Sequence, residues 1–197
     1  MSTKLFDTLT PDPDTLARLH RRLEHAAEQA GLLDVAYRAV DTPVGTLLLA
    51  ATAVGVVRVA YDVEDHDAVL VRLAAAVSPR ILHSPKRLDA LARQLDEYFT
   101  KRRTTFDVPL DLRLADGFRR NVIERLRHIG YGHRESYAAL AAAVGNPRAV
   151  RAVGTACAHN PLPVVIPCHR VVRSDGSTGR YVGGPHAKVT LLELEAA

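Results

Sequence analysis

The chain has 197 residues, 47% of them hydrophobic and 24% charged, with a formal net charge of +4, which is enough for one large or two small domains with a real core. A membrane span is excluded because the longest apolar stretch, Val44 to Val59, is broken by Gly45, Gly55 and Arg58. A polar, acidic N-terminus and two cysteines without tight spacing point to a cytoplasmic protein in a reducing compartment, and no cluster has the spacing of a zinc site.

In chain order, residues 1–34 open on Pro11 and Pro13 as a disordered tip. They continue as an amphipathic helix from Asp14 to Ala30, with Leu16, Leu19, Leu23, Ala26 and Ala27 at helical spacing before Gly31. That apolar stripe is expected to pack against the next domain. From Val35 the pattern becomes β-rich: Tyr37 to Val40, Thr46 to Ala51 and Val56 to Tyr61, separated by Pro43, Gly45 and Gly55, predict an antiparallel meander. Two helices follow. One runs from Asp65 to Val77, and the other from about Pro85 to Phe99 with Leu88, Leu91, Leu95 and Phe99 as its stripe. His66 and His83 have no paired ligand and read as solvated surface residues.

Lys101 to Thr105 is a basic break, and Pro109 forces Phe106 to Leu112 to be extended. The predicted organisation is therefore an N-terminal extension (1–34), an α/β domain with a small antiparallel sheet (35–108) and a mainly α domain (109–197). In the last, Asp116 is placed to cap a helix carrying Phe118, Val122, Ile123, Leu126 and Ile129. Ser136 caps a short helix from Tyr137 to Val144. Gly145-Asn146 is a left-handed turn, and Pro147 suits the first turn of a helix over Arg148 to Ala158. Helix, glycine turn, helix is the helix-turn-helix pattern. The second helix is rich in small residues, Ala149, Ala152, Gly154, Ala156 and Ala158, which allow close approach. Charge favours a polyanion partner for this half: 114–197 holds 11 Lys/Arg against 6 Asp/Glu, whereas 1–113 holds 15 against 16.

The run Ile166-Pro167-Cys168-His169-Arg170 places a nucleophile, an imidazole and a cation together in an apolar segment, which costs desolvation unless each is partnered. Cys157, among small residues, reads as a buried inert thiol, and His133 and His159 read as surface or phosphate-facing groups, not ligands.

Asn160-Pro161, the Ile166 to Val172 run, Gly179 to Gly184, Leu191 to Glu195, Ser136-Tyr137 and Asn146 to Gly154 together resemble the O6-alkylguanine-DNA alkyltransferases. The likeness is specific over 114–197 and looser over 35–113. It implies irreversible transfer of the alkyl group of O6-alkylguanine, and of O4-alkylthymine as a second substrate, from double-stranded DNA to Cys168. The reaction needs no cofactor or metal and a monomer suffices. By the same resemblance, His169 and Glu195 activate the thiol and lower its effective pKa, Asn160 stiffens the turn before the active-site loop, and Tyr137 protonates the purine. Arg151 fills the gap left by the flipped nucleotide, Ala152 and Gly154 meet the minor groove, and Arg148 binds DNA one turn away, where it can meet the phosphate backbone. Pro163, Val171, Tyr181, Val182 and Gly183 line the base pocket. Val182 and Val150 depart from the smaller residues of several relatives, which narrows the pocket and alters the groove contact. A damage-binding protein without repair activity and a Cys-His hydrolase are the competing readings. Cys168 argues against the first, and the absence of hydrolase signatures against the second.

Overall fold

The computed structural model describes residues 12–196; the expected disordered tip lies outside them apart from Pro13. Helix α1 (Pro13–Gln29) is capped by Asp12, whose carboxylate accepts from Thr15 N. Contrary to expectation, its leucine stripe does not pack inward. Leu16, Leu19 and Leu23 remain 49%, 47% and 54% exposed, and the helix attaches through polar contacts, His20 Nε2 to His83 O (2.6 Å) and Glu24 to Ser84 Oγ (2.5 Å).

Strands β1 (Val35–Thr42), β2 (Gly45–Ala51) and β3 (Val56–Tyr61) form the expected antiparallel meander. The sheet is nevertheless mixed. A three-residue strand, β4 (Ile81–His83), adds parallel to β1, giving the order β3-β2-β1-β4. Alternation along the strands, reset on β3 by a bulge at Val57 opposite Ala50 and Ala51, feeds two cores. Leu48, Ala50, Val57 and Ala60 face Val69 and Leu73 of α2 (His66–Ala76). Leu47, Leu49, Val59 and Tyr61 face α3 (Asp89–Phe99), which follows a 3-10 turn at Pro85–Leu88 in place of the helical start expected there. His83 and His66 are half-buried, which corrects their reading as solvated: the His83 ring packs between His20 and Tyr37, and His66 Nε2 is enclosed.

The second core continues without a break into the helices of the C-terminal half. The expected extended connection bridges the halves, with Leu110 pairing with Val56 and Asp111 N donating to Val56 O at 2.8 Å. Gly55 makes this approach possible, since a Cβ there would lie 2.3 Å from Pro109 O. Helix α4 (Gly117–Leu126) then buries Val122, Ile123 and Leu126, and Asp116 precedes it without capping its backbone, binding Arg119 instead at 3.2 Å. Short strands β5 (Glu135–Ser136) and β6 (Val171–Val172) pair in parallel and hold α5 (Tyr137–Ala143) beside the segment carrying Cys168.

Candidate active site

Ser136 caps α5 as expected, its hydroxyl accepting from Ala139 N at 3.0 Å. Gly145 takes the left-handed turn (φ 78°). Pro147 and Arg148, however, belong to the turn and not to the helix. Ala149 N donates to Asn146 O, and α6 begins only at Val150, running to Ala158. Val153, Ala156 and Cys157 face inward, while Arg148, Val150, Arg151, Ala152 and Thr155 face solvent. A Cβ at Gly154 would meet no protein atom within 4 Å, so internal packing does not demand a glycine there.

The turn after α6 is held by Asn160, which is 1% exposed. Its Nδ2 donates to Ile166 O (2.8 Å) and to Cys168 Sγ (3.1 Å), and its Oδ1 accepts from Leu162 N (3.0 Å). Between them Val164, a buried β-branched residue, sits at φ 70°, backbone strain of the kind stored at functional sites. Cys168 opens a 3-10 turn (Cys168–Arg170) and is 2% exposed.

Helix α7 (Gly184–Glu195) holds that turn and the residue after it. Lys188, fully buried, donates from Nζ to Val171 O at 2.6 Å, and Glu195, two helical turns later, collects the His169 and Arg170 side chains. Its carboxylate accepts from His169 Nε2 (3.0 Å), Arg170 Nε and Nη2 (2.9 and 2.8 Å), the Tyr98 hydroxyl (2.7 Å) and Gly132 N (3.3 Å). Burial alone would raise the Glu195 pKa, but these donors hold it well below the usual carboxylate range. Burial lowers the His169 pKa against the pull of Glu195, so the ring is neutral near pH 7. A carboxylate can only accept, so Nε2 carries the proton and Nδ1 is left as an enclosed acceptor with no protein partner.

The thiol itself corrects the expectation of a depressed pKa. Burial pushes Cys168 up to about 11, against the pull of the Asn160 hydrogen bond and the Lys188 charge, so at neutral pH it rests protonated. Cys157 is buried, as expected, and its pKa is raised by burial and by Cys168. Tyr137 is half-buried with its pKa pushed up to about 12 by burial, then by the two cysteines, and therefore keeps its proton. Its hydroxyl would lie 3.0 Å from a Cβ at Gly179, where φ is 64°, so the backbone conformation favours glycine and a side chain there would press on Tyr137.

Pro163 and Val171 are buried and Tyr181, Val182 and Gly183 half-buried around this centre. Val182 also lines a groove of about 360 Å³ shared with Arg58, Glu64, Arg119 and Asn160. The sequence assigns no role to Arg170, Lys188, Tyr98 or Tyr61. Arg170 alone had a visible signal, its place in the Cys-His-Arg run; the partners of the others lie far away in sequence.

The family model for the 6-O-methylguanine DNA methyltransferase ribonuclease-like domain matches residues 35–112, and that for the DNA binding domain of the same proteins matches residues 117–197. The chain belongs to the 6-O-methylguanine DNA methyltransferase family. The methylated-DNA-protein-cysteine methyltransferase of Mycobacterium bovis is 38% identical over 165 residues, 81% of this chain and 91% of that protein. The constitutive enzyme of the same name from Bacillus subtilis is 36% identical over 160 residues, 81% and 94% of the two chains. Among solved structures, the Mycobacterium tuberculosis O6-methylguanine methyltransferase is similar with a TM-score of 0.73 at 35% identity, covering 82% of this chain and 93% of its own. The Mycobacterium tuberculosis OGT in complex with DNA gives 0.70 at 36%, covering 81% and 92%.

In this methyltransferase the Cys168 cluster lies within the DNA-binding domain, yet Tyr98 reaches it from the ribonuclease-like domain. That reach can be measured. Tyr98→Phe removes one donor to a buried carboxylate, worth about 2 kcal/mol for a hydrogen bond to a charged group. The midpoint of thermal unfolding should fall by about 4–8 °C. A change below about 1 °C would mean that the remaining donors satisfy Glu195 without it.

Proposed function

We propose that the chain repairs DNA by moving the alkyl group of O6-alkylguanine in a duplex onto its own Cys168, once per molecule. The observation that carries this reading is a buried thiol held by Asn160 beside a neutral His169 whose Nε2 is tied to Glu195, leaving Nδ1 free to accept a proton. Cys168 Sγ attacks the alkyl carbon, the bond from that carbon to O6 breaks, and the electron pair passes into the purine. The thiol proton leaves through His169, by way of solvent between Sγ and Nδ1, and Glu195 stabilises the imidazolium that forms. Tyr137, which holds its proton, supplies one to the departing purine. The thioether is stable, so Cys168 is not regenerated, and neither a metal nor a cofactor takes part in the step.

A thiol only 2% exposed cannot meet a base inside a duplex, so the nucleotide must leave the stack. In this reading α6 lies in the minor groove with Ala152 and Gly154 at the contact, Arg148 on phosphate and Arg151 in the vacated space. Pro163, Val171, Tyr181, Val182 and Gly183 line the base pocket. Residues 35–108 and 109–197 act as the supporting and the DNA-binding halves. Among the described residues no helix is long and apolar enough to cross a membrane. Two free thiols accord with a cytoplasmic setting.

Incubation with a duplex carrying O6-methylguanine labelled in the methyl group tests the reading. One equivalent of label should appear on the peptide bearing Cys168. Label on Cys157, or repeated turnover as a Cys-His hydrolase would give, would overturn it.

A further inference from the structure

Strand β3 of the N-terminal sheet reaches across to the active-site half at two points. Val59 N and the Arg58 guanidinium donate to Pro161 O at 2.9 and 3.2 Å, bracing the turn that Asn160 organises, and Arg58 is itself fixed by Glu64. Two residues further on, Tyr61 meets the Tyr181 to Gly183 loop. Its hydroxyl lies 3.0 Å from the Tyr181 hydroxyl, and the rings stand edge to face with centroids 5.7 Å apart. The Gly183 backbone rests on the same ring so closely that a Cβ there would lie 2.6 Å from Cε1 and Cζ. Tyr61 is fully buried within the core shared by both halves, so its ring cannot swing aside to make room. One side chain therefore anchors both residues that flank Val182.

We propose that Tyr61, a residue of the other domain, is a specificity-determining residue: by holding Tyr181 and Gly183 it sets how far the pocket loop yields, and so how large an O6-alkyl group reaches Cys168. The inference rests on the alkyl-transfer reading of the site. A methyl group fits the loop where it stands, while a benzyl group displaces it outward and has to break the hydroxyl pair. Cutting that pair without touching the ring should then favour the larger group selectively. A purely structural Tyr61 would affect both groups alike.

Single-turnover rates with duplexes containing O6-methylguanine and O6-benzylguanine, measured for wild type and Tyr61→Phe, test this. The phenylalanine keeps the surface under Gly183. The benzyl-to-methyl rate ratio should rise about three- to tenfold, the net worth of one hydrogen bond, with the methyl rate within about threefold of wild type. Tyr181→Phe cuts the same pair from the loop side and should raise the ratio by a similar factor, and the double variant should add nothing further. An unchanged ratio, a parallel fall in both rates, or additive effects of the two substitutions would overturn the inference while leaving alkyl transfer intact. Absence of methyl transfer in the wild type would overturn the alkyl-transfer reading, and the inference with it.

Discussion

Replacing His169 by glutamine is expected to slow methyl transfer at pH 7 by about two to three orders of magnitude, the usual worth of a positioned general base. The effect should also depend on pH. Burial pushes the Cys168 thiol up to about 11, so without a base only the spontaneously ionised fraction reacts, about one molecule in ten thousand at pH 7. The rate of the variant should climb about tenfold per pH unit from neutrality toward pH 10, and the gap to the wild type should close over that range. In the wild type His169 has its pKa lowered by burial, so the ring is already neutral at pH 7 and accepts the thiol proton within the step. The rate should therefore be nearly flat on the alkaline side and fall only in acid, as the pH drops through that lowered value and Nδ1 becomes protonated. Parallel profiles for the two proteins, offset by a constant factor, would show that His169 shapes the site without taking the proton. Glutamine keeps a donor for Glu195, which limits the structural disturbance around Arg170.

How much of this was legible in the sequence depended on the range of the contacts. The meander β1–β3, the cap at Ser136 and the turn at Gly145 are all readable because their signals are local: β-rich pieces punctuated by Pro43, Gly45 and Gly55, a hydroxyl before a helix, and a Gly-Asn pair. Strand β4 was not, because three residues carry no period and its place is set by pairing with β1. The Cys168 to Arg170 run announced its chemistry by composition alone. Its electrostatics did not follow from composition: the thiol pKa is raised where a Cys-His pair suggested a lowered one, since burial outweighs Asn160 and Lys188. The carboxylate at 195 was expected to serve His169, but its partnership with Arg170 and Tyr98 depends on tertiary packing across 25 and 97 residues. The exposed leucines of α1 show the converse: a helical stripe is not by itself evidence of burial.

Buried charge explains why the site needs both halves of the molecule. Glu195 is 5% exposed and Arg170 7%, a placement that costs several kcal/mol per ion unless donors and acceptors are all satisfied. Arg170 Nη1 donates to Ile129 O, and Glu195 takes the Tyr98 hydroxyl and Gly132 N. The ion pair thus fixes the ring of His169 in one tautomer, while Lys188 of α7 holds the backbone after the nucleophile at Val171 and Asn160 holds it before the nucleophile at Ile166. Rigid placement of this kind suits a direct displacement, in which sulfur, carbon and leaving oxygen must lie in line.

The second large effect is expected at Arg151, in the first turn of α6, which is exposed and has no ion-pair partner among the described residues. If it fills the space left by the flipped nucleotide, Arg151→Ala forfeits about 1.5 to 3 kcal/mol of the few kcal/mol that extrusion costs, and repair of a well-paired duplex should slow by roughly one to two orders of magnitude. The free base, O6-methylguanine or its benzyl analogue, needs no extrusion, and its reaction with Cys168 should be nearly unchanged. Arg148, just ahead of the helix, serves as the comparison: an arginine that only meets phosphate contributes salt-dependent affinity, and its loss is recovered at saturating duplex. Both rates should therefore be measured for wild type, Arg148→Ala and Arg151→Ala with duplex in excess. A defect in Arg151→Ala that vanishes at saturation would assign it to phosphate, and equal slowing on duplex and free base would mean that the substitution had disturbed the pocket around Cys168. A mismatched partner opposite the lesion lowers the cost of extrusion, so the duplex defect should shrink with it, whereas a phosphate contact is indifferent to pairing.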